Sequence, residues 1–106
     1  MRRKGELSQA EINRQWPHHI ALQQLPDHAA QYSRNIEIDA FCVAAGDDAA
    51  PRGYSIMHQD AWFEVRCFAS AETAAQFIQR FGGRPFDPRA KPRGPGWQGK
   101  GDFKLV

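Results

Sequence analysis

The fold of this chain is decided by the stretch Tyr54–Phe68, which reads YSIMHQDAWFEVRCF. β-Branched and aromatic residues dominate the stretch, as is typical of strands. The two residues Gln59 and Asp60 in its middle would close a two-residue hairpin turn. The stretch therefore predicts a hairpin with strands at 54–58 and 61–68.

The hairpin register sorts the side chains onto two faces. Tyr54 lies opposite Val65 and Met57 lies opposite Trp62, because directly opposed residues on antiparallel strands share a face. One face is predicted to point into the core and carries Tyr54, Ile56, Phe63, Val65 and Cys67. The other face is predicted to be open and carries Ser55, Met57, Trp62, Glu64, Arg66 and Phe68.

A short helix and a strand are predicted at the start of the chain. Ser8 and Glu11 have the spacing of a capping box, which satisfies two backbone N–H groups at a helix start. The helix is predicted over 9–15, since Pro17 disfavours helical conformation in the residue before it. A strand over 18–24 follows.

A long helix is predicted over 28–45, where the chain contains no Pro or Gly. Its apolar residues recur at helical spacing along two stripes, which predicts a helix buried over most of its surface. The first stripe holds Tyr32, Ile36, Ala40 and Val43; the second holds Ile38, Phe41, Cys42 and Ala45.

A second long helix is predicted after the hairpin. Ser70 is a good N-cap residue, and an apolar stripe continues from it to Phe81 through Ala74, Phe77 and Ile78. Gly82 is suited to ending the helix. A last strand is predicted over 84–86, confined to the edge of the sheet by Pro85.

The predicted fold class is α+β, in one domain over residues 1–87. The order of strands and helices, βαββαβ after the short first helix, resembles the ferredoxin-like arrangement, in which both helices cover one face of an antiparallel sheet. Residues 88–106 are rich in Pro and Gly and are predicted to form a flexible basic tail.

Charge is distributed unevenly along the chain. The net charge is +2. Residues 15–83 carry four arginines against eight acids, so their net charge is −4, whereas 84–106 carry six basic residues against two acids, a net charge of +4. An anionic partner would therefore meet the ends of the chain first.

Composition excludes several classes of protein. No apolar run is long enough for a membrane span or for a secretory signal after the basic N-terminus, which predicts a cytoplasmic protein without a membrane partner. The two cysteines, Cys42 and Cys67, are too few for a disulfide framework and are predicted to be reduced, buried side chains.

Two resemblances to known families bear on the prediction. The segments around Arg3–Ser8, Trp16–His18 and Phe81–Pro88 resemble a group of small bacterial proteins. The resemblance implies a bacterial cytoplasmic protein and adds no catalytic residues to the analysis of the sequence. The segment 66–86 is similar to the second half of an RNA recognition motif. The glycine of that family's RNA-binding segment is missing from residues 62–68, and Glu64 places an acid on the predicted open face.

No catalytic, metal or cofactor site is predicted. His18 and His19 are adjacent and point to opposite faces of a strand, so they do not chelate one metal together. His28 and His58 lie on separate elements outside any general-base motif.

The leading functional hypothesis is a non-enzymatic protein that binds a second copy of itself or another protein. Binding through the open sheet face would use Met57, Trp62, Glu64, Arg66 and Phe68, because aromatic and arginine side chains dominate hot spots.

The alternative is single-stranded nucleic-acid binding, with Trp62, Arg66 and Phe68 stacking on bases and the tail residues Arg89, Lys91, Arg93 and Lys100 contacting phosphates. A third hypothesis is a small enzyme with His19 or His58 beside an acid in a pocket. The first helix, through Ile12 and Trp16, is the competing occupant of the open face.

Overall fold

The computed structural model describes residues 7–58 and 60–90, and the backbone of residues 102–103. Three helices and a predominantly antiparallel sheet make up the described chain. The elements in order are α1 (Gln9–Gln15), β1 (His18–Gln23), α2 (His28–Ala45), β2 (Tyr54–His58), β3 (Ala61–Phe68), α3 (Ala71–Phe81), β4 (Arg84–Asp87) and β5 (Asp102–Phe103), with one turn of 3-10 helix at Gly46–Asp48. The fold class is therefore α+β, as predicted.

The sheet has the strand order β2-β3-β1-β4-β5, and each neighbouring pair is antiparallel. The order of the first four strands is compatible with the βαββαβ arrangement expected from the sequence. All the pairs of the predicted hairpin are confirmed, from Tyr54 opposite Val65 to His58 opposite Ala61. Asp60 has a φ of +64°, the left-handed conformation that the predicted turn requires.

The end of the sheet differs from the sequence prediction. Residues 102–103 belong to the segment that we predict as a flexible tail, yet they pair with β4, with Phe103 opposite Phe86 and Asp102 opposite Asp87. β4 is therefore an inner strand of the described sheet and not its edge. The rest of the predicted tail beyond residue 90 lies outside the described residues.

Each helix begins at a side chain that caps its first turn. Ser8 Oγ accepts a hydrogen bond from the backbone N–H of Glu11 at 3.2 Å. Asp27 caps α2 in the same way through Ala30, at 2.8 Å, and Ser70 caps α3 through Thr73, at 3.2 Å. These short-range bonds satisfy N–H groups that have no partner inside the helix. Because the capping residue is only three positions from its partner, the start of a helix can be predicted from the local sequence.

The sheet separates two apolar clusters. On one face α2 and α3 cover the central strands, and this cluster contains Ile20, Leu22, Ile38, Phe68, Ala74 and Phe77. On the opposite face α1 lies over the strands, and this cluster contains Ile12, Ala21, Val65, Cys67 and Phe86. Both faces of the central strands are therefore buried, as in a three-layer structure.

The prediction of one open sheet face is wrong. β3 residues Val65 and Cys67, predicted to face the core, are buried beneath α1. The face predicted to be open is the one that α2 and α3 cover, and Phe68 on that face is 0% exposed. Alternation along the strand identifies the residues that share a face, but it does not say which face the long helices cover.

Candidate functional site

The predicted binding residues of the hairpin lie beside α2. Trp62, Glu64 and Arg66 alternate along β3 on the same face as Phe68, and Met57 lies opposite Trp62 on β2. We call Met57, Trp62, Glu64 and Arg66 the hairpin rim. Because α2 and α3 cover the central strands, the rim is what remains accessible of this face.

Phe68 does not belong to an accessible site. Its ring packs against Phe77 of α3 with centroids 5.2 Å apart and against Phe41 of α2 with centroids 6.0 Å apart. The sequence interpretation that placed Phe68 on an exposed face with Trp62 is therefore incorrect. The ring is a core residue at the junction of both long helices.

Arg66 is held by two carboxylates on the rim. Its Nη2 lies 2.7 Å from Glu64 Oε1 on the same strand and 3.4 Å from Asp39 Oδ1 on α2. The side chain of Arg66 is 19% exposed. A guanidinium that is mostly buried and already paired has little capacity left for an external phosphate. The Arg66–Asp39 contact instead links α2 to β3.

Trp62 is the accessible aromatic residue of the rim. It is 50% exposed, whereas its cross-strand neighbour Met57 is partly buried. α1 does not cover it, since Ile12 of α1 packs with Val65 on the opposite face of the sheet. The alternative that the first helix occupies a sheet face is correct for that opposite face and incorrect for the face of Trp62.

The most exposed of the large apolar residues lie on α2, where the sequence predicts burial. Tyr32 is 70% exposed, Ile36 is 55% exposed and Val43 is 82% exposed. Ala29 and Ala40 are exposed beside them. At 100° per residue these five positions fall within an arc of about 80° on the helix surface. We call Ala29, Tyr32, Ile36, Ala40 and Val43 the outer stripe.

The opposite side of α2 makes the core contacts. Ile38 is buried, and Phe41 packs edge-on against Phe77 and Phe81 of α3 with centroids 5.6 and 5.9 Å apart. The second stripe therefore faces the core, with Ile38 buried and Phe41, Cys42 and Ala45 partly buried. The prediction of a broadly buried helix is wrong for the first stripe. The sequence could have indicated that one stripe stays exposed, because the two apolar stripes lie on opposite sides of α2 and a helix packed on one sheet face buries only one side.

Charged pairs flank the outer stripe on both sides. Asp39 lies near Arg66 on the side of the hairpin, and Glu37 Oε1 lies 3.9 Å from Arg80 Nη2 on the side of α3. The resulting surface has an apolar centre and a rim of paired charges. This is the anatomy of protein-binding surfaces.

A cavity of about 310 Å³ opens between the end of α2 and the following loop. Asp39, Cys42, Val43 and Arg66 are among its lining residues. Burial raises the pKa of the Cys42 thiol. The thiol therefore stays protonated at neutral pH, where it is a weak nucleophile and a weak metal ligand.

His19 is one of the two histidines around which the enzymatic hypothesis expects a pocket. This side chain is buried, and its Nδ1 lies 2.8 Å from the Tyr54 hydroxyl. It lines a cavity of about 300 Å³ together with Arg14, Asp87 and Arg89. The Asp87 carboxylate in that cavity accepts a hydrogen bond from the backbone N–H of Arg89 at 2.9 Å, as in a local turn.

The second cysteine, Cys67, lies in the core. Burial raises the pKa of Cys67 to about 12, so this thiol is also protonated at neutral pH. Within residues 7–58 and 60–90, no group of three or more His, Cys, Asp and Glu side chains is placed to hold a metal ion.

The basic tail residues are only partly described. Arg89 is exposed in the turn that follows β4. Lys91, Arg93 and Lys100 lie outside the described residues. The tail prediction therefore stands as a prediction for these three positions.

Comparison of the chain with protein-family models, with curated protein sequences and with solved structures gives no match. In the described part of the chain, no helix combines the length and the apolar character needed to cross a bilayer.

Proposed function

We propose that this chain is a non-enzymatic interaction protein that binds a protein partner through the outer stripe of α2 and the adjoining hairpin rim. The observation that carries the proposal is the exposure of Tyr32, Ile36, Val43 and Trp62, each at least half accessible, on this side of the fold. A small domain has few apolar side chains to spare, and contiguous exposed ones are typical of interaction sites.

The chemistry of the cavities supports the non-enzymatic part of the proposal. Both cysteines hold their protons because burial raises their pKa values. His19 is engaged with Tyr54, whose own pKa is raised by burial. These groups are those of a core, in which the neutral forms are favoured.

Single-stranded nucleic-acid binding is the alternative with less support. Of the three residues expected to contact bases, Phe68 is in the core and Arg66 is paired with Glu64 and Asp39. Trp62 alone keeps an accessible ring, and one stacked base contributes only about 1–3 kcal/mol. Exposed Arg89 supports a phosphate contact at the other end of the sheet.

We also propose that the domain is ferredoxin-like. The support is the strand order, with β1 between β3 and β4, and the packing of α2 and α3 on one face. The bacterial source and the cytoplasmic location expected from the sequence stay predictions.

The proposal is tested by light-scattering mass measurements over a concentration series, with and without a single-stranded oligonucleotide. We expect a mass above the 12.0-kDa monomer without oligonucleotide. The double variant Tyr32→Ala/Trp62→Ala should weaken association by more than about 2 kcal/mol, because exposed aromatic side chains are typical hot spots. Its melting temperature should stay close to that of the parent, since these side chains have few contacts to lose.

A matched control is Ser33→Ala/Ser55→Ala, which changes exposed positions of α2 and of the β2–β3 hairpin. We expect this control to associate like the parent. A parent that stays at 12.0 kDa at every concentration, or a double variant that associates as strongly as the control, would count against the proposal. Binding that needs oligonucleotide and weakens steeply with salt would favour the nucleic-acid alternative.

A further inference from the structure

The outer stripe of α2 has a spacing that reads the same in both directions. Its members follow one another at intervals of three, four, four and three residues, from Ala29 through Tyr32, Ile36 and Ala40 to Val43. Ile36 is the midpoint of the series, and at 100° per residue the others lie within about 40° of it on either side.

This symmetry has a consequence for two antiparallel copies of the helix. When a two-fold axis passes between the helices at the level of Ile36, a residue a given number of positions before Ile36 on one copy is level with the residue the same number of positions after Ile36 on the other copy. We call two such residues a layer. Ile36 then meets its own copy, Tyr32 shares a layer with Ala40 of the second copy, and Ala29 shares one with Val43 of the second copy. Every outer layer combines a large side chain with a small one, which lets the two helices approach closely.

The flanking charges are compatible with the same arrangement. A two-fold axis brings equivalent flanks of the two copies together, so an unpaired acid on a flank would meet its own copy and repel it. Glu37 is paired with Arg80 at 3.9 Å, and Asp39 is paired with Arg66 at 3.4 Å. On the α3 flank, Glu37 and Arg80 form an exposed pair that is charge-complementary to its own copy. On the hairpin flank, Asp39 shares the mostly buried Arg66 with Glu64, which lessens the repulsion between the two copies of Asp39.

From the palindromic spacing, the exposure and the paired flanks, we infer that the partner bound by the outer stripe is a second copy of this chain, in an antiparallel α2–α2 contact centred on Ile36. The inference rests on the proposed function and names its partner. The stripe runs for about 21 Å along the helix at 1.5 Å per residue. A contact of one helix pair falls near or below about 1,000 Å² in total, so the dimer is a weak one that depends on concentration.

The contact is tested by opposite charges at the two-fold axis. Ile36→Glu and Ile36→Lys each place two like charges against each other in a homodimer, and we expect each to raise the dissociation constant at least about tenfold. An equimolar mixture of the two variants places Glu against Lys, and its mass should return toward twice 12.0 kDa. Ile36 is 55% exposed, so both variants should fold, which far-ultraviolet circular dichroism checks.

Matched controls are Ala30→Glu and Ala30→Lys, which change an exposed position of α2 about 120° around the helix from Ile36. These variants should associate like the parent, alone and mixed. Recovery in the mixture is the result that a merely misfolded variant does not produce.

The remaining outcomes separate this inference from the proposed function. If the parent associates but both Ile36 variants associate equally well, the α2 contact is overturned while an interaction role elsewhere on the surface stands. If both variants lose association and the mixture does not regain it, the two-fold register at Ile36 is overturned. A parent that is monomeric at every concentration overturns the dimer, whereas the proposed function is overturned only if the outer stripe also binds no other protein.

Discussion

Phe77 is the side chain on which the two long helices depend. It is fully buried, and its ring meets Phe41 at 5.6 Å, Phe68 at 5.2 Å and Phe81 at 5.0 Å between centroids. These rings come from β3 and from both helices, so the cluster joins three elements at one point.

Phe77→Ala should therefore lower the free energy of unfolding by about 3–5 kcal/mol, since it removes buried apolar surface and leaves a cavity. Urea denaturation at a low protein concentration measures the change. Val43→Ala is the control, because Val43 is 82% exposed and its truncation should change stability by less than about 0.5 kcal/mol. A loss below about 1 kcal/mol for Phe77→Ala would contradict the placement of α3.

Cys67 gives the protein a dependence on alkaline pH. Burial raises the pKa of this thiol from 9.0 to about 12. Between these values the folded chain keeps a proton that the unfolded chain has lost, so the free energy of unfolding falls as the pH rises. The contribution of Cys67 is complete below about pH 9 and disappears progressively toward about pH 12.

We therefore expect that the free energy of unfolding of the parent, measured by urea denaturation, decreases as the pH rises from 8.5 over about two pH units. Cys67→Ala lacks the thiol and should lose stability less steeply over the same range. Burial also raises the pKa of Tyr54, which leaves a residual decline in the variant. Parallel curves for the two proteins would show that Cys67 does not titrate as its burial implies.

At the scale of elements, β5 extends the sheet although the local sequence does not predict a strand. It is a two-residue strand, and its backbone pairs with Phe86 and Asp87 of β4. The surrounding segment is rich in Gly and Pro, so its local strand propensity is low. We attribute the pairing of β5 to the edge of β4 that does not pair with β1.

Deleting residues 102–106 should lower the free energy of unfolding by about 1–2 kcal/mol, because the hydrogen bonds of a short antiparallel pair are lost. Deleting only residues 104–106 is the control, since it leaves β5 in place, and this shorter deletion should have little effect. Thermal denaturation of the two truncated chains measures the difference. Equal melting temperatures would mean that β5 does not stabilise the sheet.

The boundaries of the elements were the most predictable part of the fold. Ser8 and Ser70 act through bonds within three residues, and the turn at Asp60 depends on its own φ angle. Such features depend on residues only a few positions apart, so they can be predicted from the local sequence. The hairpin register followed from the same turn, since a two-residue loop fixes every pair beyond it.

The placement of the faces was not predictable in the same way. Each side of β3 carries apolar residues, and each side of α2 does as well, so either side satisfied the pattern. The choice depends on how α2 and α3 cross the sheet together, which is a property of the whole domain. For this reason Trp62 was correctly expected to be accessible, whereas Phe68 was wrongly grouped with it and Tyr32, Ile36 and Val43 were missed.

At the scale of the whole molecule, the proposed apolar surface and the exposed Arg89 lie apart. β2 and β5 are at opposite ends of the strand order, and exposed Arg89 follows β4 beside β5. The hairpin rim lies at the β2 end. Contacts with an anionic partner near Arg89 and contacts with a protein partner at the outer stripe would therefore not compete for the same surface.

The two-sided character of α2 also bears on how this protein can change over evolutionary time. Ile38 and Phe41 on the inner side are constrained by packing against the sheet and α3, whereas Tyr32, Ile36 and Val43 are each more than half exposed. Mutations on the outer side leave the inner contacts in place, so selection for a new partner and selection for folding act on separate codons of one helix. A lineage can therefore gain, lose or exchange a binding partner here while it inherits the same domain.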